Sequence, residues 1–183
     1  MIHRTIFAGF GGQGVMLMGY VLAHAAMLKG LNLTYLPAYG VEMRGGTANC
    51  TVTVADEEIA SPVASELDCL AALNLPSLER FAPLVKPGGL ILINASLIPE
   101  NQRPRSEAVL VRVPTHELAL EVGSARAANM VMLGVFIGKT GLLTLAETFA
   151  GLKAALAGKE QLLEINLAGI EKGAEFAAET SGG

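Results

Sequence analysis

The sequence predicts an α/β fold: a mostly parallel sheet with helices on both faces and a helical C-terminal part. Three observations predict it. Short apolar runs alternate with longer ones from residue 5 to residue 113, the rhythm of strand–helix–strand units. A glycine-rich turn, Gly9-Phe10-Gly11-Gly12-Gln13-Gly14, joins the first short run to the first long one. Beyond Thr115 strand patterns fade and helical periodicity remains. The arrangement is Rossmann-like, and one domain is expected over residues 1–180, followed by a disordered tail at 181–183.

Each element has a local reason. Residues 5–8 read as a strand running into the glycine turn. Residues 15–29 read as a buried helix, with Gly30 where a C-terminal glycine belongs. A second strand at 33–36 is expected to stop at Pro37, and a long loop to follow over 38–47. Residues 48–55 alternate through Cys50, Val52 and Val54, a strand expected to close a hairpin with 59–62. Residues 69–73 form a short apolar strand, and Pro76 opens a short helix to Phe81. Lys86-Pro87-Gly88-Gly89 reads as a turn before an apolar strand at 90–93, and 108–113 as a strand ended by Pro114. Helices are expected at 115–122, 127–137, 145–156 and 160–179, the last with Leu163, Leu167, Ile170 and Ala174 on one stripe.

Composition narrows the function classes. Charged residues make up only 16% of the 183 and hydrophobic ones 51%, against about 25% charged in typical soluble domains. Surface covered by other chains is one reading of that deficit; a compact core rich in Ala and Gly is the other. The net charge is −4 with Lys and Arg scattered, which argues against nucleic acid. The apolar stretch 15–28 contains His24 and is shorter than the roughly 20 residues that cross a bilayer. No signal-peptide pattern precedes it, so the expectation is a cytoplasmic chain without a membrane partner. Cys50 and Cys69 match neither zinc nor cluster spacing and are expected to be buried hydrophobes.

The glycine turn satisfies G-x-G-x-x-G through Gly9, Gly11 and Gly14. Glycine permits a tight turn and close backbone approach, and the following helix N-terminus offers N–H groups to an anion. A nicotinamide site also wants an acid at the end of the second strand; here that strand ends Leu36-Pro37-Ala38. No Lys-Ser or Lys-Thr follows Gly14, so the turn is not a Walker loop. The remaining readings are an anion-facing loop, with the Gln13 amide offered to a ligand or neighbouring chain, and a turn that serves packing alone. The loop after the second strand carries Tyr39, Gly40, Glu42, Arg44, Gly45 and Gly46 and falls at the same sheet end. It is a recognition surface in which Arg44 forks onto a phosphate or carboxylate, or else a local Glu42–Arg44 pair. His3, His24 and His116 share no metal spacing, and His24 is expected to be a hydrogen-bonded packing residue. Ser61, Ser65 and Ser96 lack a nucleophile elbow, so no residue is assigned a catalytic role.

GFGGQG followed by YLPAYGVEMRGGTANCTVTVADEEIASP closely resembles the gamma subunit of 2-oxoacid:ferredoxin oxidoreductases. The resemblance runs on through LVKPGGLILIN to the Asn129-Met130-Val131-Met132-Leu133-Gly134 helix. It departs at Ala38, where many relatives carry Ser, which puts a hydroxyl contact there in doubt. The resemblance implies a non-autonomous subunit of a complex that converts a 2-oxoacid, coenzyme A (CoA) and oxidised ferredoxin to acyl-CoA, CO2 and reduced ferredoxin. It places thiamine diphosphate, Mg and iron–sulfur clusters on partner subunits of alpha, beta and delta type, with no cofactor tightly bound here. CoA handling is implied for Gly9, Gly11, Gly12, Gln13 and Gly14, with Tyr39, Gly40, Glu42, Arg44, Gly45 and Gly46 beside them. The first-choice substrate is 2-oxoglutarate, with branched-chain 2-oxoacids, pyruvate and indolepyruvate left open, and the isolated chain is expected to be able to form a homodimer. The competing readings are a standalone nucleotide-binding domain and an architectural or sensing module.

Overall fold

In the computed structural model, residues 1–40, 46–63, 65–104 and 106–180 are described. Six strands and six α-helices follow in order: β1 (Ile2–Phe10), α1 (Val15–Leu28), β2 (Asn32–Tyr39), β3 (Thr47–Ala55), β4 (Leu67–Ala72), α2 (Leu75–Phe81), β5 (Val85–Asn94), β6 (Val109–Val113), α3 (Thr115–Glu121), α4 (Ala128–Thr140), α5 (Leu145–Ala155) and α6 (Leu163–Glu179). The strands form one sheet in the order β2-β3-β1-β4-β5-β6. β1, β4, β5 and β6 pair in parallel, while β3 runs antiparallel between β1 and β2. The mostly parallel Rossmann-like sheet is therefore as expected.

The two sheet faces bury different amounts of helix. Phe7, Cys50, Val52, Cys69 and Leu92 face a large core built with α1, α4, α5 and α6. Ile6, Ala8, Leu70, Ile91 and Ile93 face a smaller core closed by α2 and Ile98. Helix ends are fixed locally. Gly30 takes φ +80, and the Gly30 and Leu31 N–H groups donate to Met27 and Ala26 carbonyls, both at 3.0 Å, which stops α1 in a Schellman motif. Asn74 caps α2 by accepting from Ser77 N–H at 2.9 Å. Thr144 and Glu147 form a reciprocal capping box at the start of α5.

Helix α4 is buried along every residue from Asn129 to Ile137. It stays helical with no wet face because α6 approaches it backbone to backbone. The α6 stripe is Asn166, Gly169, Ile170, Gly173 and Ala177, rather than the Leu163–Leu167–Ile170–Ala174 row expected from hydropathy. Leu163 and Leu167 pack only at the margin. A Cβ on Gly173 would enter the Val131 carbonyl, and one on Gly134 the Ile170 carbonyl. Small residues win the central stripe because they allow the helices to touch.

Three other local expectations give way to tertiary context. Pro37 lies within β2 rather than ending it. β2 is an edge strand, and the Gly40 N–H to Thr47 carbonyl bond at 2.8 Å sets the alternation along the β2–β3 ladder. Counting back from it, position 37 falls in the outward set, where a missing N–H breaks no ladder bond. Residues 59–62 form no strand; β3 finds its antiparallel partners in β1 and β2. Lys86-Pro87-Gly88-Gly89 is an irregularity inside β5, where the pairing shifts between Leu67–Val85 and Cys69–Leu90.

The cysteines are buried and free. Burial pushes the Cys50 thiol up to about 12 and raises Cys69 as well. His24 packs edge-on against Tyr20 with centroids 4.4 Å apart, yet its Nδ1 has no hydrogen-bond partner among the described residues, contrary to expectation. Glu42, Arg44 and Gly45, and the tail at 181–183, lie outside the described residues.

Two predictions arise here. Gly173→Ala is expected to cost about 3 kcal/mol, at the upper end of ordinary overpacking, read as a lower urea midpoint at unchanged slope. Asp68 accepts from Arg4 N–H at 2.7 Å and pairs with Lys86 at 2.5 Å. Burial by itself would raise its carboxyl, but these partners and the nearby His3 hold it below its ordinary value. Such stabilisation is present above the unfolded-state pKa and disappears as pH falls through the lower folded value. Asp68→Asn is thus expected to be less stable by about 1 kcal/mol at pH 7, the gap closing below about pH 4.

Candidate functional site

Parallel pairing places the C-terminal ends of β1, β4, β5 and β6 at one edge of the sheet. After β1 the chain turns to α1 on the large-core face; after β4 it turns to α2 on the other face. Departure to opposite faces opens a crevice between the two strand ends, the place where α/β sheets bind ligands. Gly12 and Gln13, Leu73, Asn94 and Ser96, and Thr115 come to that crevice from the four strand ends, and Asn129 from the start of α4.

The glycine loop is braced mostly from within. Gln13 Oε1 accepts from Phe10 N–H at 2.6 Å, and Gln13 Nε2 donates to the Leu73 carbonyl at 3.3 Å. Gln13 thus ties the loop to the end of β4, using its amide oxygen and one of its two amide N–H groups. Gly9 is small because the Gln13 side chain lies over it: a Cβ there would stand 2.6 Å from Oε1. Gly11 N–H donates to the Gly46 carbonyl at 3.0 Å, and Gln13 N–H to Phe10 at 3.1 Å. Gly14 takes φ +77, and Asn129 Nδ2 donates to its carbonyl at 3.2 Å. Helix α1 carries no side-chain cap and no acid in its first turn, so its N-terminus remains compatible with an anion.

The second expected stretch shares this sheet end. Gly46 bonds Gly11, and Phe10 pairs with Thr47. Tyr39 and Gly40 lie one strand further out, with Tyr39 74% exposed. The structure thus brings Gly9, Gly11, Gly12, Gln13, Gly14 and Gly46 together and leaves Tyr39 at the sheet's edge.

On the other side of the glycine loop lies a cavity of about 370 Å³, which the sequence reading missed. Its floor is polar and buried. Asn94 Nδ2 donates to the Leu73 carbonyl at 3.1 Å, while its Oδ1 accepts from Thr115 Oγ1 at 2.8 Å and Ser96 N–H at 3.1 Å. At the mouth, Ser96 Oγ donates to Glu117 at 2.5 Å, and this bond leads the causes that hold the Glu117 carboxyl below its usual range. Arg126 and His116 complete the rim. The available signal was positional: Asn94 and Thr115 each follow an apolar strand, and Asn129 interrupts an apolar helix. Among the described residues no group of three His, Cys, Asp or Glu could hold a metal, and no helix is long and apolar enough to cross a membrane.

Fold and crevice define a Rossmann-like α/β domain with a polar cleft at its topological switch point. Residues 4–176 match the family described as pyruvate ferredoxin/flavodoxin oxidoreductase, and the chain belongs to that family as a gamma-type domain. It is 44% identical over 179 residues to the ketoisovalerate oxidoreductase subunit VorA of Methanothermobacter thermautotrophicus, covering 96% of this chain and 36% of that protein. The chain therefore spans about a third of that relative's length. It is 32% identical to the 2-oxoglutarate synthase subunit KorC of Methanothermobacter marburgensis, covering 94% of this chain and 95% of that one. The gamma subunit of a keto/oxoacid ferredoxin oxidoreductase from Geobacter sulfurreducens superposes with TM-score 0.83 at 26% identity, covering 97% of this chain and 99% of that one.

The Gln13 brace is testable. Gln13→Ala is expected to leave the Phe10 amide without its partner and the Leu73 carbonyl with the Asn94 amide alone, destabilising the fold by about 1–2 kcal/mol. Hydrogen exchange at the Phe10 amide should speed up while amides within α4 keep their protection.

Proposed function

We propose that the chain is the non-autonomous gamma subunit, or gamma-type domain, of a 2-oxoacid:ferredoxin oxidoreductase. The reaction is conversion of a 2-oxoacid, CoA and oxidised ferredoxin to acyl-CoA, CO2 and reduced ferredoxin. The single observation that carries this is the near end-to-end match to subunits named for 2-oxoacid oxidation, covering 94–96% of this chain. The substrate we favour is ketoisovalerate or another branched-chain 2-oxoacid. The sequence reading expected 2-oxoglutarate, but the relative named for ketoisovalerate is 44% identical and the one named for 2-oxoglutarate 32%.

The division of labour follows the residues. Decarboxylation and electron transfer belong to thiamine diphosphate, Mg and iron–sulfur clusters on partner subunits of alpha, beta and delta type, with ferredoxin reached through the complex. The gamma chain supplies a rigid sheet end. Gln13 and Gly46 hold the glycine loop in place, and the uncapped α1 N-terminus favours a negatively charged group of CoA there. Arg44, in the adjoining stretch, supplies a second positive charge for CoA or a partner chain.

Anaerobic purification of the tagged chain from its native cytoplasm tests the assignment. Recovery with a thiamine-diphosphate-binding chain is expected, and CoA-dependent dye reduction by that complex should be faster with ketoisovalerate than with 2-oxoglutarate. The chain recovered alone would overturn the subunit reading; preference for 2-oxoglutarate would overturn only the substrate.

A further inference from the structure

The edge strand β2 has one of the devices that keep a sheet from growing, Pro37, and lacks the others. It is eight residues long and holds no charged side chain. Its pairing with β3 runs unbroken from Asn32–Ala55 to Tyr39–Ala48, so no bulge turns the edge away. The ladder alternation that places Pro37 outward places Leu33, Tyr35 and Tyr39 with it. Because β2 ends the sheet, the backbone groups of these residues point away from every other strand. Such a row is a template for one more strand.

The apolar surface continues onto helix α1. A groove beside the edge is lined by Tyr20, His24 and Met27 of α1 and by Leu33 and Tyr35 of β2. Tyr20 is 44% exposed, Met27 55%, Leu36 40% and Tyr39 74%. Full burial of one tyrosine removes about 150–250 Å² from water. At these exposures the four side chains, with exposed Pro37 and Ala38, offer roughly 500 Å² per copy, so a two-fold pair covers about 1,000 Å², the size at which a specific interface begins. Neither strand nor groove carries a lysine, an arginine or a carboxylate. In a two-fold contact each patch meets its own likeness, so a charged edge would repel itself and this neutral one does not.

We propose that β2 is a self-association edge: two copies pair β2 against β2, antiparallel about a two-fold axis, and join their sheets into one. The proline selects the register. With Leu36 opposite Leu36 of the second copy, Leu33 and Tyr39 exchange hydrogen bonds across the axis, and Tyr35 N–H donates to the Pro37 carbonyl. An axis at Pro37 would set two prolines face to face without a donor between them. An axis at Thr34 or Tyr35 would set Tyr39 opposite the turn that precedes β2. The axis stands perpendicular to the sheet, so both α1 helices lie on one face of the joined sheet and Tyr20 and Met27 of each copy close over the grooves. The proposal rests on the sheet edge and not on the assigned oxidoreductase activity, so either can fail without the other.

The test sediments the full chain over a concentration series. A dimer with Kd below about 100 μM is expected. Leu36→Lys, at an exposed position, sets two ammonium groups against each other at the axis and is expected to weaken the dimer at least about 100-fold with the far-ultraviolet circular dichroism unchanged. Leu36→Glu is expected to do the same, and mixing the two variants to restore the dimer, because position 36 faces itself. Amide hydrogen exchange reads the register: higher concentration is expected to protect Leu33, Tyr35 and Tyr39, while Thr34, Leu36 and Ala38, bonded to β3, are protected throughout. A chain that stays monomeric up to about 0.5 mM would overturn the proposal and leave the edge to a strand of a different subunit. A dimer indifferent to both variants, or one that their mixture fails to restore, would overturn it as well.

Discussion

The structure depends on one close contact, the packing of α4 against α6. A helix buried on all sides over Asn129–Ile137 needs a neighbour that can meet it without side chains in between. Gly169 and Gly173 of α6 and Gly134 and Gly138 of α4 provide that meeting. With α4 seated, Phe136 reaches Phe7 in the central strand β1, ring centroids 5.4 Å apart and edge to face. Its first turn then carries Asn129 onto Gly14, so the packing that closes the large core also sets one wall of the cleft. Core and site are in this sense one construction.

The glycine loop acquires a meaning different from the one its pattern suggests. Its amides at Phe10, Gly11 and Gln13 have partners within the fold. Gly9 admits the Gln13 side chain, and Gly14 admits Asn129. The glycines thus permit close packing at the end of β1, and the open space lies beside the loop rather than within it. Around that space the polar groups come from distant segments: Asn94 bonds Leu73 and Thr115, each 21 residues away.

The family assignment fits this architecture. The sheet has one heavily covered face and one lightly covered face, and apolar residues such as Tyr39, Val63, Leu97 and Leu120 remain exposed, the surface that the proposed subunit role would use. The longer relative, of which this chain matches 36%, carries an equivalent domain within a larger polypeptide.

Much of the fold is local and was legible in the residues. Alternating polarity at Cys50, Val52 and Val54, the Gly30 stop and the Pro76 start depend on neighbours one to four positions away, so β3, α1 and α2 fell close to where they were expected. The glycine loop and the Gly46 stretch were likewise placed correctly at one sheet end, because parallel strands bring their C-termini together. What hydropathy could not reveal was which stripe of α6 faces inward, since a glycine contact scores as nothing on an apolar scale. Nor could it tell that Pro37 is harmless, which depends on β2 being an edge strand. Nor could it tell that the Gln13 amide reaches Leu73, 60 residues on, a contact only the tertiary fold makes. Asn129 and Gly14 lie 115 residues apart, and only the docking of α4 joins them. The sequence by itself determined most of the elements and which segments share one end of the sheet, because both follow from short-range periodicity and strand direction. The tertiary structure decided which polar groups are engaged and which remain open, because a hydrogen-bond partner is a fact of space rather than of order along the chain.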